Sequence, residues 1–130
     1  MASVRVHTRM AAPVDLVWKV VSDAGRVADW FPPIARSGVT GSIRTVELHN
    51  GPVITEEILT CDPVLRRFQY AIRSGLPVDT HLATIDVLED PVGSLLIYSA
   101  DVKPDEVGSM LAGILSDALA GLRAFVESGA

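Results

Sequence analysis

Residues 104–127, PDEVGSMLAGILSDALAGLRAFVE, contain the longest apolar stretch of the sequence, and they decide the fold. Pro104 suits the first turn of a helix, and Asp105 and Glu106 stand where the helix dipole favours negative charge. Apolar residues then recur at helical spacing and predict a continuous seam of Val107, Leu111, Ile114, Ala118, Leu122 and Phe125. The sequence therefore predicts one long amphipathic helix from Pro104 to about Glu127.

This helix has a polar side, but its apolar arc is wide. The side opposite the seam carries Ser109, Gly113, Ser116, Ala120, Arg123 and Glu127. Met110, Leu115 and Leu119 flank the seam, which predicts that the rest of the protein largely surrounds the helix. The polar residues Ser116, Asp117 and Arg123 interrupt the apolar run and argue against a membrane span.

Before this helix, the sequence alternates between apolar and polar residues, as half-buried strands do. Turn residues such as Asn50-Gly51-Pro52 and Ser74-Gly75-Leu76-Pro77 separate the alternating runs. Short connections between the later runs favour an antiparallel meander. We predict strands at residues 4–10, 35–39, 42–49, 53–61, 66–73, 78–88 and 94–102.

Two short helices are predicted between the first two strands. Pro13 suits the start of the first helix, whose apolar stripe is Val14, Val17, Trp18 and Val21. Ser22 or Asp23 can cap a second helix, which ends at about Trp30 before two prolines. A twisted sheet of about seven strands must curve, so we expect it to wrap around the long helix and leave a space between them. The predicted fold class is α+β, with a single domain over residues 1–130.

Composition narrows the class of function. The formal net charge is -5, and the scattered basic residues predict no binding of nucleic acid. The single cysteine, Cys61, cannot form an intrachain disulfide, and the first ten residues lack the apolar core of a signal peptide, so a cytoplasmic protein is expected.

The histidines and Cys61 lack the spacing of metal ligands, and no phosphate or dinucleotide motif is present. We therefore predict neither a metal nor a cofactor.

Several different short motifs follow one another along the chain in an order that is typical of a known protein family. They are Ala12-Pro13-Val14-Asp15-Leu16-Val17-Trp18, Ser22-Asp23, Trp30-Phe31-Pro32, Gly41-Ser42-Ile43-Arg44, Asn50-Gly51 with Thr55-Glu56, Asp62-Pro63 with Arg66-Arg67 and Tyr70, and Gly75-Leu76-Pro77. Together they resemble the START/Bet v 1-like (SRPBCC) superfamily, and more narrowly its polyketide cyclase/dehydrase and lipid-transport group.

This resemblance covers nearly the whole chain and implies a helix-grip fold, in which a curved seven-stranded antiparallel sheet wraps around a long C-terminal helix. It also implies a deep apolar cavity between sheet and helix, which binds lipids, polyketides or other hydrophobic small molecules. Some members are cyclases, aromatases or dehydratases, and many bind without chemistry. The segment Ile34 to Ser42 is short for this group, which predicts a small or open cavity.

Strand parity places one polar residue among inward-facing apolar neighbours on each of five strands: Arg44, Glu56, Tyr70, His81 and Tyr98. An isolated buried charge costs several kcal/mol, so Arg44 and Glu56 should pair with each other or with a ligand. A two-residue turn at Asn50-Gly51 would place Arg44 opposite Glu57. Because Pro52 cannot donate in the closing pair, we favour a loop one residue longer, which places Arg44 opposite Glu56.

Three functions remain open. The first is a carrier or sensor of a hydrophobic small molecule, with ligand contacts from Trp30, Phe31, Arg44, Glu56, Phe68, Tyr70, His81, Tyr98, Met110 and Ile114. The second is a cyclase or dehydratase on a polyketide-like substrate, in which Arg44 polarises a carbonyl and Glu56, His81 or Tyr98 moves a proton. The third is a protein-interaction module, which would need an exposed apolar patch such as Trp30-Phe31.

Structural roles compete with each functional one. Buried ion pairs are commonly structural, so we favour a structural pair of Arg44 and Glu56 over a catalytic one. A lone histidine such as His81 is more often a core residue, here hydrogen-bonded to a tyrosine, than a general base. Trp30 is predicted to plug one end of the sheet, and Phe31 to lie at the rim of the cavity. A sheet edge formed by the first or a neighbouring strand could support a homodimer.

Overall fold

The structure is a computed structural model, and it describes residues 1–129. Strand β1 (Ala2–Met10) is followed by helix α1 (Val14–Ser22) and a 3-10 helix (Ala24–Asp29). Six further strands precede the C-terminal helix α2 (Val107–Glu127): β2 (Ile34–Thr40), β3 (Ile43–Leu48), β4 (Val53–Asp62), β5 (Arg67–Ser74), β6 (Thr80–Asp90) and β7 (Gly93–Lys103).

These strands form one antiparallel sheet in the order β1-β7-β6-β5-β4-β3-β2. The predicted α+β fold class and the seven-stranded antiparallel sheet are confirmed, and the alternation of polar and apolar residues located each strand. The second short helix is a 3-10 helix rather than an α-helix. The α-helical part of the C-terminal segment begins at Val107, after a turn, and not at Pro104.

The β3–β4 hairpin has the predicted register, with Arg44 directly opposite Glu56. The amide of Leu48 donates to the carbonyl of Pro52 at 2.9 Å, so the connecting loop has three residues. Two irregularities in the β4–β5 pairing, at Thr55/Glu56 and at Ile58/Thr60, lie on either side of this part of β4. Because bulges bend a strand and increase its twist, they curve the sheet around the side chain of Glu56.

Helix α2 buries one stripe against the sheet, formed by Gly108, Leu111, Leu115, Ala118, Leu119, Leu122 and Val126. It packs chiefly on β1 and β7, and a Cβ atom at Gly108 would lie 2.9 Å from the Cβ of Ala2. The predicted seam was therefore wrong at its edges, since Val107, Ile114 and Phe125 are only half-buried. The expectation that the protein largely surrounds this helix was also wrong, because the helix lies over one side of the sheet.

Helix α2 is long and apolar enough to cross a membrane, but the core helix of a soluble protein can have the same length and composition. Because α2 buries one stripe against β1 and β7, it is the core helix of a soluble type of fold.

The two flanks of α2 face different parts of the protein. The flank with Ser116, Ala120 and Arg123 lies beside β1, at the edge of the sheet. On the other flank, a Cβ atom at Gly121 would overlap the carbonyl oxygen of Trp30 and lie 2.9 Å from Pro32. Ile114 lies two turns before Gly121, so it points to the same side, towards the remaining strands of the sheet.

Candidate functional site

Arg44 and Glu56 form a buried ion pair on the inner face of the sheet. The Arg44 Nε donates to the Glu56 Oε1 at 2.7 Å, and the two residues are 3% and 7% exposed. Burial raises the pKa of Glu56, and Arg44 offsets only part of this rise. Burial is the strongest single influence on Arg44 and opposes its charge, but Glu56, Tyr70 and Tyr98 together outweigh burial and raise the pKa of the guanidinium. The sequence predicted this pairing from the position of Pro52.

Aromatic side chains surround the guanidinium of Arg44. Its Cζ atom lies 4.8 Å from the ring centre of Tyr70 and 5.3 Å from that of Phe68, within the range of cation–π attraction. The hydroxyl groups of Tyr70 and Tyr98 share a hydrogen bond. Both tyrosines are buried, and burial raises the pKa of each hydroxyl. Both tyrosines therefore stay protonated at neutral pH and can donate hydrogen bonds.

His81 completes this group at the point where β5 and β6 separate. The regular pairing of these strands ends at Tyr70 opposite Ala83. Beyond it, the amide of Ile72 donates to the Nδ1 of His81 at 3.1 Å, so a side chain replaces the backbone as acceptor. The imidazole ring lies 5.7 Å from that of Tyr70. The sequence predicts a hydrogen bond from His81 to a tyrosine, but the described partner of His81 is this amide. We refer to Arg44, Glu56, Tyr70, His81 and Tyr98 as the polar cluster.

We expect His81 to make the stability of the protein depend on pH. Burial lowers its pKa from 6.5 to about 4, so the folded protein favours the neutral ring. This stabilisation is complete above pH 6.5 and is lost as the pH falls towards 4, because a protonated Nδ1 cannot accept from Ile72. From pH 7.5 to 4.5 the free energy of unfolding should fall by roughly 2 kcal/mol through this group.

Urea unfolding at both pH values measures this effect. The His81→Asn variant is the control, because its amide oxygen can accept from the Ile72 amide but does not titrate. Its stability should change less than that of the original protein over the same interval. Equal changes in the two proteins would show that His81 does not titrate in this range.

Among the other predicted ligand contacts, Phe68 contacts the Arg44 guanidinium, and the rest differ in burial. Trp30 and Phe31 are buried, at 5% and 8% exposure, with ring centres 5.6 Å apart. The exposed apolar patch that a protein-interaction module would need at these two residues is therefore absent. Ile114 is half-buried on the flank of α2 that faces the Trp30 segment. Met110 is 49% exposed, because it lies one turn before Ile114 and farther from the buried stripe, so it does not line the interior.

Three pockets are described, and the polar cluster lines none of them. One, of about 240 Å³, lies between Leu16, Val20, Trp30 and Phe125. A groove of about 430 Å³ lies between β1 and α2, and a depression of about 190 Å³ lies on β2 and β3. Within residues 1–129, every buried side-chain nitrogen and oxygen has a hydrogen-bond partner. In this conformation the polar cluster lies outside these three pockets, and its buried polar atoms are hydrogen-bonded.

The described residues contain no group of three histidine, cysteine, aspartate or glutamate side chains that could hold a metal ion. The chemistry available at the cluster is therefore that of one cation, one carboxyl group, two phenols and a neutral imidazole.

A curved antiparallel sheet with a long C-terminal helix on its inner face, and a polar cluster buried beneath, defines a protein of the helix-grip class. The family model for polyketide cyclase / dehydrase and lipid transport matches residues 1–127, and the chain belongs to this family. A comparison with curated proteins finds no match.

Solved structures share this fold over almost their full length. The protein XoxI from Bacillus cereus has a TM-score of 0.91 and 28% identity, over 100% of this chain and 99% of that one. An uncharacterized protein from Bacillus thuringiensis has a TM-score of 0.87 and 26% identity, over 96% and 99%. The Zhui aromatase/cyclase from Streptomyces sp. R1128 has a TM-score of 0.77 and 20% identity, over 95% and 90%, which shows the shared fold.

Proposed function

We propose that this protein binds a hydrophobic small molecule between the inner face of β4 and β5 and the flank of α2 that carries Ile114. The observation that carries this proposal is a buried polar cluster beneath an incomplete cover of helices. Trp30, Phe31 and Phe68 would form the apolar surroundings of the ligand, and Met110 would lie at the outer rim. The family to which the chain belongs supports the same class of function.

The cover is incomplete because each helix packs on the margins of the sheet. Helix α2 lies chiefly on β1 and β7, α1 on β6 and β7, and the 3-10 helix on β2 and β3. On the central strands, the inward-facing Ile58 and Ile72 are only half-buried. Ile114 is half-buried as well. Apolar surface that keeps some contact with water on both sides of the proposed gap would gain from binding an apolar molecule there.

The charges of the cluster indicate which ligand would fit. Glu56 already neutralises Arg44, so a fatty-acid carboxylate or a phosphate group would bring an unpaired negative charge into a poorly solvated place. A neutral molecule with carbonyl or hydroxyl oxygens needs no such compensation. The described contacts of Arg44 use two of the five N–H donors of a guanidinium, which leaves donors for a ligand oxygen. We therefore propose a neutral, oxygenated, apolar ligand.

An enzyme of the cyclase or dehydratase type is the second candidate, and the hydroxyl pair of Tyr70 and Tyr98 beside Arg44 favours it. Arg44 could polarise a carbonyl, while Glu56, His81 or Tyr98 exchanges a proton with the substrate. A structural neighbour that is an aromatase/cyclase supports this alternative at the level of the fold. A cytoplasmic location also stays a proposal, supported by the single cysteine.

Two probes can test the proposed ligand class, with intrinsic tryptophan fluorescence as the signal. We expect 1,8-dihydroxyanthraquinone, a neutral oxygenated molecule, to bind more tightly than palmitate. Replacing Ile114 by tryptophan should fill the gap and weaken this binding at least about tenfold, which corresponds to 1.4 kcal/mol. Val64→Trp, at a residue that is 86% exposed, adds the same side chain far from the gap and should leave the affinity unchanged.

Native mass spectrometry of the purified protein gives an independent readout of any ligand that it retains. The proposal would be wrong if neither probe bound, or if Ile114→Trp left the affinity for the anthraquinone unchanged. Tighter binding of palmitate would overturn the argument from charge but would keep the proposed location.

A further inference from the structure

The two edges of the sheet differ in how they are protected. At the β2 edge, the pairing with β3 is irregular between Ile34 and Arg36, and the 3-10 helix packs on the strand. The Ser37 hydroxyl accepts from the amide of Ala28 and donates to the carbonyl of Gly25, which ties this helix to the edge. Bulges and covering segments are the means by which proteins protect a sheet edge from further pairing.

At the β1 edge, α2 packs on the inner face of the strand, but no described hydrogen bond ties α2 to residues Ala2–Met10, and the pairing has no irregularity. The nine residues of β1 pair with β7 in an unbroken register, from Ala2 opposite Val102 to Met10 opposite Ser94, without a bulge or a proline. In an antiparallel pair, alternate residues of an edge strand direct their N–H and C=O groups away from the sheet. Strand β1 therefore offers a regular row of backbone donors and acceptors to a further strand.

The two faces of β1 differ: the outer face is basic, and a groove lies between the strand and α2. The outer face carries Arg5, His7 and Arg9, in a chain whose formal net charge is -5. Arg9 pairs with Asp90 at 3.1 Å, whereas no carboxylate of residues 1–129 lies within 4.0 Å of the Arg5 guanidinium. The groove, of about 430 Å³, runs between β1 and α2. It is lined by Val6, His7, Thr8, Leu119 and Ala120 among others, and by the ion pair of Arg123 and Glu127.

We propose that β1 binds an extended acidic peptide segment of another protein, which adds to the sheet as an eighth strand. Its backbone would pair with β1, and alternate side chains would then point to opposite faces. Acidic side chains would lie beside Arg5 and Arg9 on the outer face. Apolar side chains would enter the groove beside Leu119 and Ala120.

Charge favours this occupant over a second copy of the chain. If two β1 strands paired antiparallel in a continuous sheet, the basic residues of both copies would lie on one face. Like charges on facing strands destabilise such a pair. An acidic peptide would instead place opposite charges there.

Fluorescence anisotropy of a labelled, end-capped peptide, Glu-Leu-Glu-Val-Glu-Leu-Glu, tests the proposal. We expect binding that weakens with salt and is at least about tenfold tighter than for the peptide with lysine at every glutamate position. Arg5→Glu should weaken binding about fivefold or more, since it replaces an attraction with a repulsion. Lys19→Glu on α1 makes the same change in net charge and should have no effect.

Two further measurements test where the peptide lies. Ala120→Trp should fill the groove and reduce binding, with thermal unfolding of each variant as a check that the fold is intact. Hydrogen exchange of the β1 amides should slow when the peptide is bound, and that of the β2 amides should not. The proposal fails if the acidic peptide does not bind, if the lysine peptide binds equally well, or if β1 gains no protection. Concentration-dependent dimers that protect β1 without peptide would show that a second copy occupies the edge instead.

Discussion

Replacing Arg44 by methionine should lower the free energy of unfolding by about 3–5 kcal/mol, the usual cost of removing one partner of a buried ion pair. Methionine keeps much of the length of the side chain and its contact with Phe68 and Tyr70, but it leaves Glu56 without its partner. Glu56 is 7% exposed, and its described hydrogen bond is the one from Arg44. Its carboxyl group must then take up a proton or draw water into the core.

Urea unfolding of the single and double variants separates the two contributions. Arg44→Met together with Glu56→Leu removes both charges, and its stability should recover most of the loss, because apolar residues of similar volume can replace a buried pair without large cost. The control is Arg73→Met, which breaks the more exposed pair between Arg73 on β5 and Glu57, the residue next to Glu56 on β4. Its effect should be much smaller, as for surface ion pairs in general.

The same variants decide whether the pair is structural or functional. If the double variant is stable and still binds 1,8-dihydroxyanthraquinone with unchanged affinity, the pair serves the fold alone. If it is stable but binds the probe more weakly, Arg44 or Glu56 contacts the ligand. A single variant no less stable than the Arg73→Met control would show that Arg44 and Glu56 do not form a buried pair in solution.

The sequence predicted the sheet well because its signals are local. Alternation located each strand, and one proline was enough to set the register that places Arg44 opposite Glu56. The orientation of α2 was harder to predict, because its apolar arc is wider than the stripe that it buries. Only the position of α2 over β1 and β7 decides that Leu115 and Leu119 are buried while Ile114 is half-buried.

The detailed contacts of the polar cluster also could not be predicted from the sequence. Parity placed His81 among inward-facing residues, but the separation of β5 from β6 gives its imidazole the Ile72 amide as a partner. This separation depends on the curvature of the whole sheet, to which the irregularities in β4 contribute. No residue near His81 in the sequence signals it. In the same way, nothing local shows that Ser37 ties the 3-10 helix to the β2 edge while β1 keeps an unbroken register.

Gly121→Ala should destabilise the protein, whereas Gly113→Ala, in the same helix, should stabilise it. Both substitutions remove the flexibility of a glycine inside a helix, which by itself is worth roughly 0.5–1 kcal/mol. At Gly113 a Cβ atom would meet nothing within 4 Å, so this gain should appear in full. At Gly121 the Cβ would overlap the backbone oxygen of Trp30 and lie 2.9 Å from Pro32. Neither group can rotate away, because both belong to the main chain or to a proline ring.

We therefore expect Gly121→Ala to cost about 1–3 kcal/mol, the usual range for overpacking, even after the gain in helix propensity. Thermal unfolding of the two variants measures the difference, and tryptophan fluorescence should report movement of Trp30 in the Gly121 variant alone. Because this contact holds α2 against the segment that contains Phe31, loosening it should also widen the gap beside Ile114 and change the affinity for the anthraquinone probe. Equal stabilisation by both alanines would show that α2 does not approach Trp30 so closely, and the position proposed for the ligand would lose its support on that side.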